Sequence, residues 1–334
     1  ANKVSVETLK LEDFDNQTIT LGTASVLATN ANNSGLSTIN ASGLLGVNKV
    51  TVDLSGVIRD MVVTTAGGSD IITMGRGVDN ISTGAGDDII KVSGENLTST
   101  DTIAAGADIL GDTLDITTTT TNITDAMFSG KTGIEILKLS NTSGTYNVVL
   151  GEAAVDAGIK EVVIDSGVKA TIDISGADGD IKITGASAGN VTVVTGSSND
   201  NISLDGGADT IKTLSGNLTS ADKYSFGSGT DTLQITDAAT IIDSDFANIS
   251  GLETVKVGNF TNSITLGDIS KIAGVNAVYL SGVTTSTNAQ AVDLSTMTNN
   301  QTFTITGGAG ADTIKMKAEH LTSADTITGG ANTD

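Results

Sequence analysis

Written in nines, residues 65–91 read TAGGSDIIT, MGRGVDNIS and TGAGDDIIK, which puts Asp70, Asp79 and Asp88 at the sixth place and Ile72, Ile81 and Ile90 at the eighth. TGSSNDNIS and LDGGADTIK set Asp200 and Asp209 nine residues apart, and GGAGADTIK carries Asp312. Looser copies end in Asp231 (GSGTDTL), Asp334 (GGANTD) and Asp112 (GDTL). Carboxylates delivered by Gly-rich turns at a fixed interval suit a hard cation. Ca²⁺ takes about six to eight oxygens at about 2.3–2.6 Å, drawn from carboxylates and backbone carbonyls. Glycine lets a turn adopt φ > 0 and aim its carbonyls inward without a Cβ clash. The competing chemistry is plain turn capping, in which each Asp bonds its own backbone. Charge favours the cation. Lys and Arg number 17 against 39 Asp and Glu, a net −22, and stacked carboxylates repel unless a cation lies between them.

Other candidate residues are less specific. LTSxD recurs with Asp101, Asp222 and Asp325, each a further ligand or a turn that starts the next strand. The Asp-x-apolar phase of Asp101 to Ile103 and Asp325 to Ile327 leans towards ligand. GASAG at 185–189 matches the Gly-x-Ser-x-Gly nucleophile pattern, but it lies between short β repeats with no helix after it, so it reads as coincidence. The Thr117–Thr121 run is one row, too little for an ice-binding array. His320 stands where the related segments have Asn96 and Asn217, so it has no role common to the repeats.

Composition excludes several function classes. Of the 39 acids, 31 are Asp and 8 are Glu, which places the charge in turns rather than on helix surfaces. At −22, nucleic acid is a poor partner. Without Cys there are no thiolate zinc sites, Fe–S clusters, disulfides or thiol nucleophiles. One His cannot make a His-rich metal site. No stretch approaches 18 apolar residues, so no membrane span is expected. Neither end looks native, and the chain reads as a fragment. Proline is absent where about 5% usage would give roughly 16, as suits a backbone whose amides nearly all donate in sheet ladders.

The elements that must position the aspartates follow from repetition at two scales. DIIKVSGENLTSTDTI (88–103) returns as DTIKTLSGNLTSADKY (209–224) and DTIKMKAEHLTSADTI (312–327); VETLKL, IEILKL and LETVKV return around Glu7, Glu135 and Glu253. Three modules result: 1–133 with its turns at 65–91, 134–251 with turns at 195–212, and a truncated 252–334 with turns at 307–315 and 329–334. At the short scale, Gly167, Gly176, Gly185, Gly196, Gly206 and Gly216 close strands of four or five residues. β-branched residues alternate within them, predicting Ile172, Ile174, Ile181, Ile183, Val191 and Val193 inward and Asp173, Lys182 and Thr192 outward. Nine or ten residues cannot hold a crossover helix, so neighbouring strands are not parallel partners. A meander satisfies that condition, but the constant turn and constant inward set favour a solenoid. The expected fold is all-β, a parallel β-solenoid in which each strand stacks on the one two units along. Short helices ending in Gly are expected at 124–130, 151–158, 244–251 and 267–274, capped by Asp or Thr near their starts.

The aspartate turns resemble the RTX nonapeptide repeat GGxGxDxUx, a calcium-binding β-helix repeat. The modules also resemble the repeats of bacterial surface-layer (S-layer) proteins and RTX adhesins, through the GxGxD turns, LTSxDTI and the stretch from Phe246 to Glu253 (weaker from Phe128 to Glu135). The resemblance implies Ca²⁺ as cofactor. It implies a ligand set of Asp70, Asp79, Asp88, Asp200, Asp209, Asp312, Asp231 and Asp334 with Gly68, Gly75, Gly77, Gly84, Gly86, Gly207, Gly308 and Gly310. Turns 18 residues apart then share an edge, so Asp70 and Asp88 hold one ion, while Asp79 faces the other edge with a less obvious partner. It implies type I secretion, folding in external calcium, a place at the cell surface, and self-association into a lattice. Any contact with surface glycan would come from regions outside this fragment. The alternative is the stalk or binding tract of an RTX adhesin. An enzyme is not expected: a β-helix lyase or epimerase needs basic and aromatic side chains, and Arg59 and Arg76 are the only arginines among scattered aromatics.

Overall fold

Alternation of apolar and polar residues makes strands that bury every second side chain. In Lys169–Gly176 the buried residues are Ala170, Ile172 and Ile174; in Val191–Val194 they are Val191 and Val193, with Thr192 outward. Each strand is then cut off by a Gly-rich turn before it can extend. A computed structural model of the chain describes residues 7–12, 15–21, 35–44, 46–118, 122–185, 189–280, 282–285, 287–298 and 300–334. The central residues of GASAG and the last three of the Thr117–Thr121 run lie outside the described residues. The chain divides into two compact units, residues 1–168 and 169–334.

In the first unit, successive strands as far as Ile136–Leu139 alternate between two sheets, and every pairing is parallel. Val62–Thr64 pairs with Asn80–Ser82, which pairs with Thr102–Ala104. The strands between them in sequence form the other sheet, Ile71–Thr73 on Ile89–Val92 on Thr113–Ile116. Ile72 lies opposite Ile90 and Val63 opposite Ile81, so one coil of the nonapeptide tract is two strands, two turns and 18 residues. The columns continue as Ile39–Val63–Ile81–Ile103 and as Val52–Ile72–Ile90–Leu114–Leu137–Val162.

The second unit repeats this logic with wider coils. One column runs Ile172–Val193–Ile211–Leu233–Val255–Val278–Ile305–Ile327, a second Ile183–Ile202–Tyr224–Ile249, and a third Ile241–Ile264–Val292–Ile314. Both units are all-parallel β-solenoids. Full burial of such a side chain stabilises by about 1.5–3 kcal/mol, which the last members, Ile314 and the 40% exposed Ile327, do not reach. Aromatics fill the wider coils: Phe128, Tyr146, Tyr224, Phe226, Phe246 and Phe303 are among the largest fully buried side chains.

Short helices occur where glycine stops were read: 3₁₀ turns at Asp125–Phe128 and Asp243–Phe246, and α-helices at Glu152–Ala157 and Asp268–Ala273. The α-helices end on Gly158 (φ 109°) and Gly274 (φ 111°). Their caps differ from the local caps expected. Asp125, from the preceding coil, accepts the amides of Gly151 (2.7 Å), Ala153 (3.2 Å) and Ala154 (2.9 Å). Asp243 does the same for Gly267, Ile269 and Ser270. A solenoid brings the previous coil within reach of the helix start, so a remote carboxylate supplies the acceptor. Among the described residues, no helix is long and apolar enough to cross a membrane.

Candidate metal centre

The repeated aspartates are buried at the corner where each turn enters its strand. Asp70, Asp79, Asp88, Asp112, Asp200, Asp209 and Asp231 are each at most 2% exposed. Each uses one carboxylate oxygen to accept a backbone amide from the coil before. Asp70 Oδ1 accepts Val50 N (2.6 Å), Asp88 Oδ1 accepts Asp70 N (2.7 Å), and Asp112 Oδ1 accepts Asp88 N (2.7 Å). In the second unit, Asp209 accepts Val191 N (2.8 Å) and Asp231 accepts Asp209 N (2.7 Å). Turn capping therefore occurs, but across coils rather than within one turn.

The other oxygen decides between capping and metal binding. Oδ2 of all seven aspartates is buried without a hydrogen-bond partner. Thr65 and Thr83 sit nearby but commit their hydroxyl protons to the carbonyls of Thr83 (2.6 Å) and Ala105 (2.7 Å). A buried, unpaired carboxylate oxygen costs free energy unless a cation or proton satisfies it. Burial accordingly pushes the carboxyls of Asp70, Asp79, Asp200 and Asp209 up to about 6 and that of Asp112 up to about 7, and raises Asp88 and Asp231. Neighbouring carboxylates add to the effect, Asp88 on Asp70 and Asp231 on Asp209. A divalent cation removes both penalties.

The turns stack as the strands do. Gly67, Ala85 and Ala107 form a parallel bridge ladder, and Gly206–Gly207 pairs with Ser228–Gly229. Stacking requires glycine at Gly84, where φ is +98° and an added Cβ would lie 1.8 Å from the Ala66 carbonyl oxygen. Gly68, Gly77, Gly86 and Gly207 also have positive φ, whereas Gly75, Gly308 and Gly310 do not. At these last three a Cβ would meet backbone oxygen of an earlier coil, 2.2 Å away for Gly310.

A family model of the RTX calcium-binding nonapeptide repeat matches residues 63–94, 186–212 and 304–315, in four copies. These three stretches carry RTX calcium-binding nonapeptide repeats. No curated protein and no solved structure matches it. The residues fit the ion that RTX repeats bind: all-oxygen donors, carboxylate oxygens lacking a partner, and glycine turns that bring main chain close. In the tract 63–94, Asp70 and Asp88 lie on consecutive coils of one edge, with Asp112 on the next coil of that edge. Asp79 lies on the other edge, where the next coil places Asp101, whose Oδ1 accepts Asp79 N (2.9 Å). Asp222 takes the same place above Asp200 (3.0 Å).

The LTSxD aspartates differ from the RTX aspartates. The second oxygen of Asp101 accepts Thr98 N (2.7 Å) and Thr98 Oγ1 (2.8 Å), and Asp222 and Asp325 repeat this with Thr219 and Thr322. These carboxylates close their own loop. Lys131, buried in the same corner, donates from Nζ to the carbonyls of Thr98 (2.8 Å) and Asp101 (3.0 Å). Asp312 has both oxygens engaged, by Gln290 N (3.0 Å) and Gly308 N (2.9 Å), and exposed Asp334 accepts Asp312 N (2.9 Å). Glutamate ends two ladders: Glu135 accepts Asp112 N (3.1 Å) and Glu253 accepts Asp231 N (2.8 Å). Glu135 and Glu253 follow those aspartates by 23 and 22 residues, one wide coil rather than the 18 of the nonapeptide tract; the recurrence of both in IEILKL and LETVKV is the sequence signal that marks them.

Proposed function

We propose that the protein is a structural segment of a bacterial surface layer, a secreted solenoid that calcium rigidifies and that assembles into an extracellular lattice without catalysing a reaction. The observation that carries this reading is the run of buried aspartate oxygens without partners, repeated coil after coil in both units. Such a fold is complete only when cation is supplied, and extracellular modules bind calcium at about 10⁻⁴–10⁻³ M. Secretion through a type I system in an unfolded state fits, because the chain at −22 is self-repelling until external calcium neutralises it. The test is a calcium titration followed by circular dichroism, then electron microscopy of the calcium-loaded sample. Ordering together with two-dimensional sheets is the expected result. Ordering with dispersed rods would replace the lattice by an adhesin tract, and identical spectra in chelator and in calcium would overturn the structural role of the ion.

A further inference from the structure

Where the ladder of the first unit ends, the carboxylates outnumber what an RTX turn needs. Asp112 is fully buried, with Oδ1 on the Asp88 amide and Oδ2 unpartnered. Two further carboxylates converge on it, Asp108 from the exposed rim of the same turn and Glu135 from the next coil. One oxygen from each of the three lies within 4.8 Å of the others. Neither Asp108 nor Glu135 occupies the aspartate place of a nonapeptide. The cation paired with Glu135 is Lys160, whose Nζ is 4.0 Å from Glu135 Oε1 and whose side chain is 73% exposed. An exposed ammonium at that distance does little for a buried oxygen. Three carboxyl groups are left within one ion's reach.

We infer that Asp108, Asp112 and Glu135 form a divalent-cation site distinct from the nonapeptide turns, and that calcium bound there fastens the coil carrying IEILKL to the last RTX coil. The donors are all hard oxygens, which selects Ca²⁺ or Mg²⁺ over softer-ligand metals. They come from two coils and an irregular turn, GADILGD, and Ca²⁺ tolerates irregular geometry where Mg²⁺ demands a near-ideal octahedron. The site does not depend on the nonapeptide turns being occupied.

Equilibrium dialysis of the 334-residue chain against radioactive Ca²⁺ tests it, using D108N/E135Q beside D70N/D88N. The E135Q side chain keeps an oxygen for the Asp112 amide, and D108N alters an exposed side chain, so the fold is expected to persist. D108N/E135Q is expected to bind one ion fewer, or that ion at least tenfold more weakly, with the remaining sites unchanged. Unchanged stoichiometry and affinity would overturn the inference. Crystals of the unsubstituted chain soaked in Tb³⁺ give a reading free of folding effects. An anomalous peak among the three carboxylates is expected, even if the turns proved empty. Peaks in the turns with none at the cluster would dispose of this site alone, and no peak in either place would dispose of both.

Discussion

Chelation should make the protein more stable in mild acid than at neutral pH, the reverse of proteins whose carboxylates are paired. Asp70, Asp79, Asp200 and Asp209 rise from an ordinary 3.8 to about 6 when no ion is bound. At about 1.4 kcal/mol per pKa unit, each shift corresponds to about 3 kcal/mol. Solvent screening at corners close to the surface reduces this to about 1.5 kcal/mol each. A raised folded-state pKa means that the stability is fully present below the unfolded value and is lost as pH climbs through the folded one. The loss therefore falls between pH 3.8 and about 6, and extends to about 7 for Asp112. Four such groups amount to about 6 kcal/mol, comparable with a whole net stability of about 5–15 kcal/mol. Asp87, Asp268 and Asp293 shift the other way, but they are too exposed to offset this. Calcium inverts the dependence by selecting the ionised form, and each ion at a hundredfold excess over its Kd adds about 2.7 kcal/mol. The assay is thermal melting by far-UV circular dichroism at pH 4.5, 6.0 and 7.5, in EGTA and in 10 mM Ca²⁺ (chosen values, about a hundredfold above the tighter extracellular sites). In EGTA the Tm should fall with rising pH; in calcium it should rise. A metal-free Tm that climbs steadily from pH 4.5 to 7.5 would refute the reasoning, because it would mean the buried carboxylates are satisfied without the ion.

Gly84→Ala should destabilise the first unit by about 3–5 kcal/mol through left-handed strain and overlap with Ala66, read by urea denaturation in calcium. Gly216→Ala, which meets nothing within 4 Å, should stay within about 0.5 kcal/mol. Asp88→Asn should lower the number of bound calcium ions. Asp101→Asn should lower stability by about 1–3 kcal/mol with the ion count intact; loss of an ion there would make the LTSxD aspartate a ligand after all. Asp125→Ala should uncap Glu152–Ala157 at a cost of about 1–2 kcal/mol, with hydrogen exchange accelerated at the amides of Ala153 and Ala154.

Much of the architecture was legible from spacing. A strand every nine or ten residues with one inward set leaves little besides coils of two strands, and Ile72 on Ile90 and Val193 on Ile211 realise that pattern. The aspartate ladder was legible where the interval stayed at nine. It became illegible where a coil lengthened: Ile90 to Leu114 spans 24 residues, so Asp112 and Glu135 fall out of phase although they continue the same edge. The partner of Asp79 was hidden for the same reason, being 22 residues away in LTSxD rather than 18.

Sequence alone determined the chemistry on offer, because residue type sets charge, donor atoms and permitted φ: hard oxygen ligands on glycine turns, an apolar column of Ile, Val and Leu, and no thiol or imidazole cluster. Only the tertiary structure decided which carboxylates remain available to an ion. Asp88 and Asp101 sit in similar Asp-x-apolar phase, yet one leaves an oxygen buried and unpaired while the other closes on Thr98. Hydrogen-bond satisfaction depends on which coil lies beneath which, and that stacking comes from the pairing of residues about twenty positions apart.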